Sequence, residues 1–296
     1  MTLHSPTVLV VGAAGKFAGL VVPALLARGA RVRALVRSVE EAEALRRAGV
    51  QEAVIGDLRD GASLREAASG ADGVFYLGPA FSPDEAGMGV RMVQSAQAAG
   101  VRKFVFSSVI HPTQTDLANH ASKIPVENAL YSSGLEYTVL HPANFMQNIK
   151  GTWPRVREQG VFAEPFPTDT RIARVDYRDV AEVAAIALTQ DRLAYATLEL
   201  CADGAFNREE IAAMMSEALG RRIVPQAPGF KAWAIGAKLP YDAAQLALFE
   251  KVFEHYARAG LPGNSLALTA ALGREPRGLK DFIFELAGRG TPPAAP

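Results

Sequence analysis

Four groups of residues in this chain have the types and spacing to do chemistry. The first is Gly12-Ala13-Ala14-Gly15-Lys16-Phe17-Ala18-Gly19, which follows the apolar run Val8-Leu9-Val10-Val11 and opens a helical stretch. Glycines in a strand-to-helix turn let the backbone approach an anion, and the free N–H groups at a helix start attract a phosphate. Gly12, Ala14, Gly15, Lys16 and Phe17 therefore form a candidate cradle for the pyrophosphate of a dinucleotide. The second group decides which dinucleotide. The run Arg31-Val32-Arg33-Ala34-Leu35-Val36 ends in Arg37-Ser38, where NAD-binding folds usually carry an acid for the ribose 2′-hydroxyl. A guanidinium pairs well with phosphate, so Arg37, Ser38 and Lys16 predict NADP(H) over NAD(H).

The third group is a series of strand ends. Asp57-Leu58 can meet an adenine amino group. Leu77-Gly78-Pro79 permits close approach to a ribose, and Ser107 and Pro142-Ala143-Asn144-Phe145 fall where the nicotinamide end is expected. The fourth group is His120 with Lys123, candidates for proton transfer. No His/Cys/Asp cluster has metal-ligand spacing, so no metal is expected. Gly15-Lys16 is followed by Phe17 and not by Ser or Thr, so the turn is no Walker loop, and no Gly-x-Ser-x-Gly elbow occurs.

The elements that must position these groups alternate. Strands are predicted near Val8–Val11, Arg31–Val36, Glu52–Ile55, Gly73–Leu77, Lys103–Ser107 and Glu136–Leu140, with helices over Lys16–Arg28, Val39–Ala48, Ser63–Ser69, Glu85–Ala99 and Asn119–Ser133. That rhythm predicts an α/β fold, a Rossmann-type doubly wound parallel sheet. Pro125 is foreign to a helix interior, so the helix around Lys123 should start or kink there. After His141 the rhythm breaks into a segment rich in proline and aromatics. Later come Asn207-Arg208-Glu209-Glu210, a helix start with a capping-box Glu, and helices near Phe230–Lys238 and Asp242–Ala259. The expected division is residues 1–141 as the dinucleotide-binding domain and 142–290 as a smaller α/β C-terminal lobe for substrate. The Arg171–Thr189 region returns to the first domain, and 291–296 form a flexible tail.

Composition narrows the partners. The 296 residues are 49% hydrophobic, enough for a large core, and 31 basic residues balance 31 acidic ones. No basic stripe suits a nucleic acid, and no apolar run reaches the length of a membrane span. One cysteine, Cys201, and no recognisable leader lead to the expectation of a cytoplasmic protein. Phe81, Phe145 and Trp153 could line a pocket for a small apolar or aromatic substrate, or could equally be core. A homodimer is compatible with the sequence.

The order of several segments carries a resemblance. Gly12-Ala13-Ala14-Gly15, Ala34-Leu35-Val36-Arg37, Gly56-Asp57-Leu58, Lys103-Phe104-Val105-Phe106-Ser107-Ser108, His120-Ala121-Ser122-Lys123, Gly134 through Pro142, and Phe145-Met146-Gln147-Asn148 occur in turn. Tyr177-Arg178-Asp179-Val180-Ala181 and the Leu279–Leu286 helix follow the same plan. The chain resembles the NmrA-like family of atypical short-chain dehydrogenase/reductases over nearly its whole length. The resemblance implies either an NADPH-dependent reductase, in the quinone-reductase and isoflavone-reductase group, or a non-catalytic NADP(H) sensor acting through a protein partner. Typical short-chain dehydrogenases use Tyr-x-x-x-Lys on one helix face, but here Asn119 lies four residues before Lys123. A sugar-nucleotide epimerase, which needs that tyrosine, is disfavoured. Two roles remain for Lys123. It acts as general acid/base, as the isoflavone-reductase relatives imply, or it binds ribose hydroxyls, which needs no pKa tuning and is preferred. His120 is the favoured acid, with Tyr137 as another donor. The expected reaction is hydride transfer to a quinone-like or other apolar aromatic or carbonyl acceptor.

Overall fold

Val8, Leu9 and Val10 are fully buried, as near-continuous apolar runs must be when a parallel strand is covered on both faces. The computed structural model describes residues 5–290 of the chain. The chain opens with β1 (Thr7–Val11), a 3₁₀ turn at Ala18–Leu20, α1 (Val21–Leu26), β2 (Arg31–Val36), α2 (Val39–Arg47) and β3 (Glu52–Ile55). It continues through α3 (Gly61–Ala68), β4 (Gly73–Tyr76), α4 (Glu85–Ala98), β5 (Lys103–Ser107), α5 (Ala118–Ala121), α6 (Ile124–Tyr131) and β6 (Glu136–Pro142). Next come β7 (Asn144–Phe145), α7 (Ile149–Gln159), β8 (Val161–Ala163) and β9 (Ile172–Val175). After α8 (Tyr177–Thr189), β10 (Ala196–Leu200) and β11 (Ala205–Phe206) the chain runs on through α9 (Arg208–Leu219), β12 (Val224–Gln226), α10 (Phe230–Ala237), α11 (Ala243–Ala259), α12 (Leu266–Leu272) and α13 (Leu279–Leu286).

Two compact units result. The first takes in the chain up to Pro142 together with Tyr177–Glu199. Its seven-stranded sheet has the order β10-β6-β5-β4-β1-β2-β3, and β1 to β6 pair in parallel. This is the doubly wound order, with its switch between β1 and β4, where such sheets bind ligands beyond the carboxyl ends. Helices α3, α4 and α6 cover one face through Leu64, Ala68, Met92, Val93, Val126 and Leu130, all closely buried with Phe104, Phe106 and Val139.

The second unit comprises Ala143–Asp176 and the chain from Leu200 on. It has a three-stranded sheet, β11-β9-β7, and the pair β12-β8. Its core joins Ile149, Trp153 and Val156 to Phe162, Ile211, Met215, Phe282 and Ile283. Asn207 caps α9 and Asp242 caps α11, each by a reciprocal capping box.

Several expectations need correction. The helix expected over Lys16–Arg28 is a 3₁₀ turn followed by a short α1, because Pro23 has no N–H to give to Gly19 and can sit only in a first turn. The helix expected over Asn119–Ser133 is divided into α5 and α6, with Pro125 in the first turn of α6. The segment rich in proline and aromatics after His141 contains α7, which runs through Pro154 and ends on Gly160 in the left-handed region. Arg171–Asp176 does not return to the first unit, because β9 pairs with β7 and β11, and the return begins at Tyr177. The expected tail 291–296 lies outside the described residues.

Candidate active site

The cradle is built by β1 and the glycine turn that leaves it. Gly12 has φ +83°, and a Cβ there would lie 3.3 Å from Ala18 Cβ and 3.5 Å from the Leu77 carbonyl oxygen. A side chain would thus fill the space between the turn and the end of β4. The Gly15 N–H donates to the Gly12 carbonyl at 2.8 Å, closing the turn. Gly12, Ala14, Gly15 and Lys16 are exposed. A bare, exposed turn at the β1/β4 switch fits a pyrophosphate. Phe17 is half-buried against Tyr177, with ring centroids 5.5 Å apart, and Lys16 Nζ lies 5.1 Å from the Phe17 centroid. The Tyr177 hydroxyl donates to Ser107 Oγ at 3.0 Å, so the fully buried Ser107 braces the cradle's aromatic wall.

At the end of β2, Arg37 is 88% exposed and pairs with Glu41, one helical turn on, at 3.2 Å. So exposed a pair holds its side chain weakly, leaving the guanidinium able to turn to another anion. Ser38 caps α2 by accepting the Glu41 N–H at 3.3 Å, and its hydroxyl donates to the Glu40 carboxylate. Asp57 is exposed and turns back on the Arg59 N–H at 2.9 Å. The Leu58 carbonyl accepts from Arg91 at 3.0 Å, fixing the loop after β3. Leu77 and Gly78 are half-buried and Pro79 exposed after β4. Pro142, buried at the end of β6, accepts the Ile110 N–H at 3.1 Å.

Lys123 begins α6 and is buried, with its ammonium on Glu85 Oε1. The second oxygen of Glu85 accepts the N–H of Phe81 at 2.9 Å, which holds the buried Phe81 in a left-handed backbone at φ +61°. Glu85 thus ties the loop after β4 to the helix carrying Lys123. Near it, the Tyr76 hydroxyl is buried and finds no hydrogen-bond partner among the described residues; burial first, then the Glu85 charge, pushes its pKa well up. Asn119 carries a buried Oδ1 with no hydrogen-bond partner among the described residues.

One turn beyond Lys123 on the same helix face is Glu127. Its Oε1 accepts from Ser108 Oγ at 2.6 Å and from His141 Nε2 at 2.9 Å, and its Oε2 from the Tyr131 hydroxyl at 3.2 Å. Burial pushes its carboxyl up, but the bonds from His141 and Ser108 outweigh this and hold it below its ordinary value of 4.5. A lowered carboxyl pKa means that the unfolded chain binds more protons. Its stabilising contribution is therefore present above about pH 4.5 and is lost as pH falls through the lowered folded value. Glu127→Gln should therefore destabilise the protein more at pH 7 than at about pH 3.5, as read by urea unfolding. An equal loss at both pH values would contradict this network.

His120 is almost fully buried, with Nδ1 3.0 Å from the His111 carbonyl oxygen. Tyr137 is misplaced as a donor. It pairs with Phe104 at the amino end of β6, away from the carboxyl edge, and packs between Tyr131 and Tyr195. Asn144, Phe145 and Trp153 belong to the second unit. There Asn144 Oδ1 accepts from Arg174 at 2.8 Å, Phe145 is half-buried in β7, and Trp153 packs in the core. Glu85 and Glu127 are not among the expected site residues. For Glu127 a signal existed, because it lies one turn from Lys123 in sequence. For Glu85 none did, because its contact spans 38 residues. Among the described residues no cluster of His, Cys, Asp and Glu could hold a metal ion, and no helix is long and apolar enough to cross a membrane.

The NmrA-like family model matches residues 4–280. The chain is 34% identical over 218 residues to the NAD(P)H azoreductase of Xenophilus azovorans, covering 73% of this chain and 75% of that protein. It is 25% identical over 221 residues to quinone oxidoreductase 2 of Escherichia coli strain K12, covering 74% and 77% respectively. The crystal structure of Citrobacter sp. triphenylmethane reductase complexed with NADP(H) matches with a TM-score of 0.83 at 22% identity, over 95% of this chain and 99% of that one. That likeness shows the fold.

Proposed function

Since the chain belongs to the NmrA-like family, we propose that it is an NADPH-dependent reductase that transfers hydride to a quinone-like or other apolar aromatic or carbonyl acceptor. The observation that carries this reading is the bare glycine turn at the β1/β4 switch, combined with an exposed arginine and no acid at the end of β2. The azoreductase and quinone-oxidoreductase relatives support it. NADPH, when bound, supplies the hydride, and the protein's part is binding, orientation and proton supply.

Each role follows from position. The backbone of Gly12 to Phe17 would take the pyrophosphate, and Arg37, Ser38 and Lys16 the 2′-phosphate. Asp57 would meet the adenine amino group, the Leu77-Gly78-Pro79 turn the ribose, and Lys123 the nicotinamide ribose hydroxyls. This last role frees the ammonium from proton transfer and agrees with its pairing to Glu85. No tyrosine precedes Lys123 by one turn, so the protein is an atypical member without the usual phenol donor. Arg37→Glu should weaken NADPH binding roughly tenfold to a hundredfold, the worth of charge-assisted bonds to a phosphate, and leave NADH nearly unchanged. Fluorescence titration reads this directly, and equal losses for both would remove the 2′-phosphate assignment.

Turnover tests the reading as a whole. Purified protein should consume NADPH faster than NADH against some member of a panel of quinones, azo dyes and aromatic ketones. A preparation that binds NADPH but reduces none of them would favour the non-catalytic sensor acting through a protein partner.

A further inference from the structure

We propose that His141, oriented by Glu127, is the residue that delivers the proton to the reduced acceptor. The proposal rests on the reductase reading above. His141 stands at the carboxyl end of β6, on the edge of the sheet that carries the cradle and Lys123. It is buried to 9% relative exposure, and its Nε2 bonds Glu127 Oε1 at 2.9 Å. Its other ring nitrogen, Nδ1, makes no hydrogen bond among the described residues and is not a buried orphan, so it is the open side of the ring.

The arrangement has the parts of a carboxylate–imidazole pair. Ser108 and Tyr131 also donate to Glu127, so three donors fix that carboxylate in place and keep it ionised. A fixed carboxylate holds the ring in one orientation. The groups set against the imidazole are Glu127 directly and, through it, Ser108 of the loop after β5 and Tyr131 of α6. The neighbouring ion pair of Lys123 with Glu85 is closed on itself. His120 differs in that its Nδ1 faces the His111 carbonyl oxygen.

The step balances. A quinone that accepts a hydride gains two electrons and one hydrogen and becomes the hydroquinone monoanion. The imidazolium of His141 gives its Nδ1 proton to the anionic oxygen, forming the second O–H bond. The neutral ring then takes a proton from water.

The test is His141→Gln, whose side-chain amide can still donate to Glu127 but cannot carry a titrating proton. NADPH affinity, read by fluorescence, should stay within twofold. Quinone kcat should fall about a hundredfold, the usual worth of a general acid, and the alkaline limb of the kcat–pH profile should vanish. A triarylmethyl cation dye such as malachite green needs hydride and no proton, so its reduction should change less than twofold. Unchanged quinone turnover, or parallel losses with both acceptors, would overturn the proposal and leave the reductase reading intact. A wild-type protein that reduces no quinone would overturn both.

Discussion

Replacing Lys123 with methionine is expected to destabilise the protein by about 3–5 kcal/mol, because it strands the Glu85 carboxylate in the interior without its cation. The two side chains are 8% and 4% exposed, so solvent screens the pair little. A loss of that size is a large share of a typical folding free energy of about 5–15 kcal/mol. The double variant Lys123→Met with Glu85→Gln should recover most of it, since a neutral pair of similar volume carries no uncompensated charge. The amide oxygen that replaces the Glu85 carboxylate can still accept the Phe81 N–H. Urea unfolding of the four proteins of this cycle measures the coupling. Losses that simply add would mean that the two residues do not sense each other. The single variant should also bind NADPH more weakly, through loss of the ribose contact proposed for Lys123.

Gly12→Ala is the second change with a large expected effect. At φ +83° an L side chain costs about 1–2 kcal/mol, and the new Cβ presses on Ala18 while coming into van der Waals contact with the Leu77 carbonyl. The turn must shift to relieve this, which moves the N–H groups proposed to hold the pyrophosphate. NADPH and NADH affinity should both fall at least tenfold. That common loss separates the cradle from Arg37, whose reversal should affect NADPH alone. Calorimetric titration with each cofactor reads the pattern, and retained binding of both would contradict a pyrophosphate at Gly12.

What the sequence made legible was local. Val8 to Val11 reads as a buried strand because both of its faces are covered, and the glycines after it announce the turn that the cradle needs. Asn207 and Glu210 lie three residues apart and form the reciprocal cap that spacing predicts. Arg37 at the end of β2 depends only on strand register. Less legible was whatever a proline disguised. Ile149, Trp153 and Val156 mark a helical stripe, yet Pro154 inside it masks α7. That stripe also explains why Trp153 serves the core. Least legible were contacts made by distant segments. Glu85 meets Lys123 only because α4 and α6 lie on one face of the sheet, and His141 finds Glu127 only through the pairing of β5 with β6 and the helix above them.

The proposed transfer of hydride from NADPH to an apolar acceptor is decided by a single-turnover experiment. Stoichiometric protein and NADPH would be mixed anaerobically with menadione, following absorbance at 340 nm. One NADPH should be oxidised for each quinone reduced, faster than with NADH. NADPH that binds, as seen by its fluorescence, yet stays reduced in the presence of the quinone would contradict it.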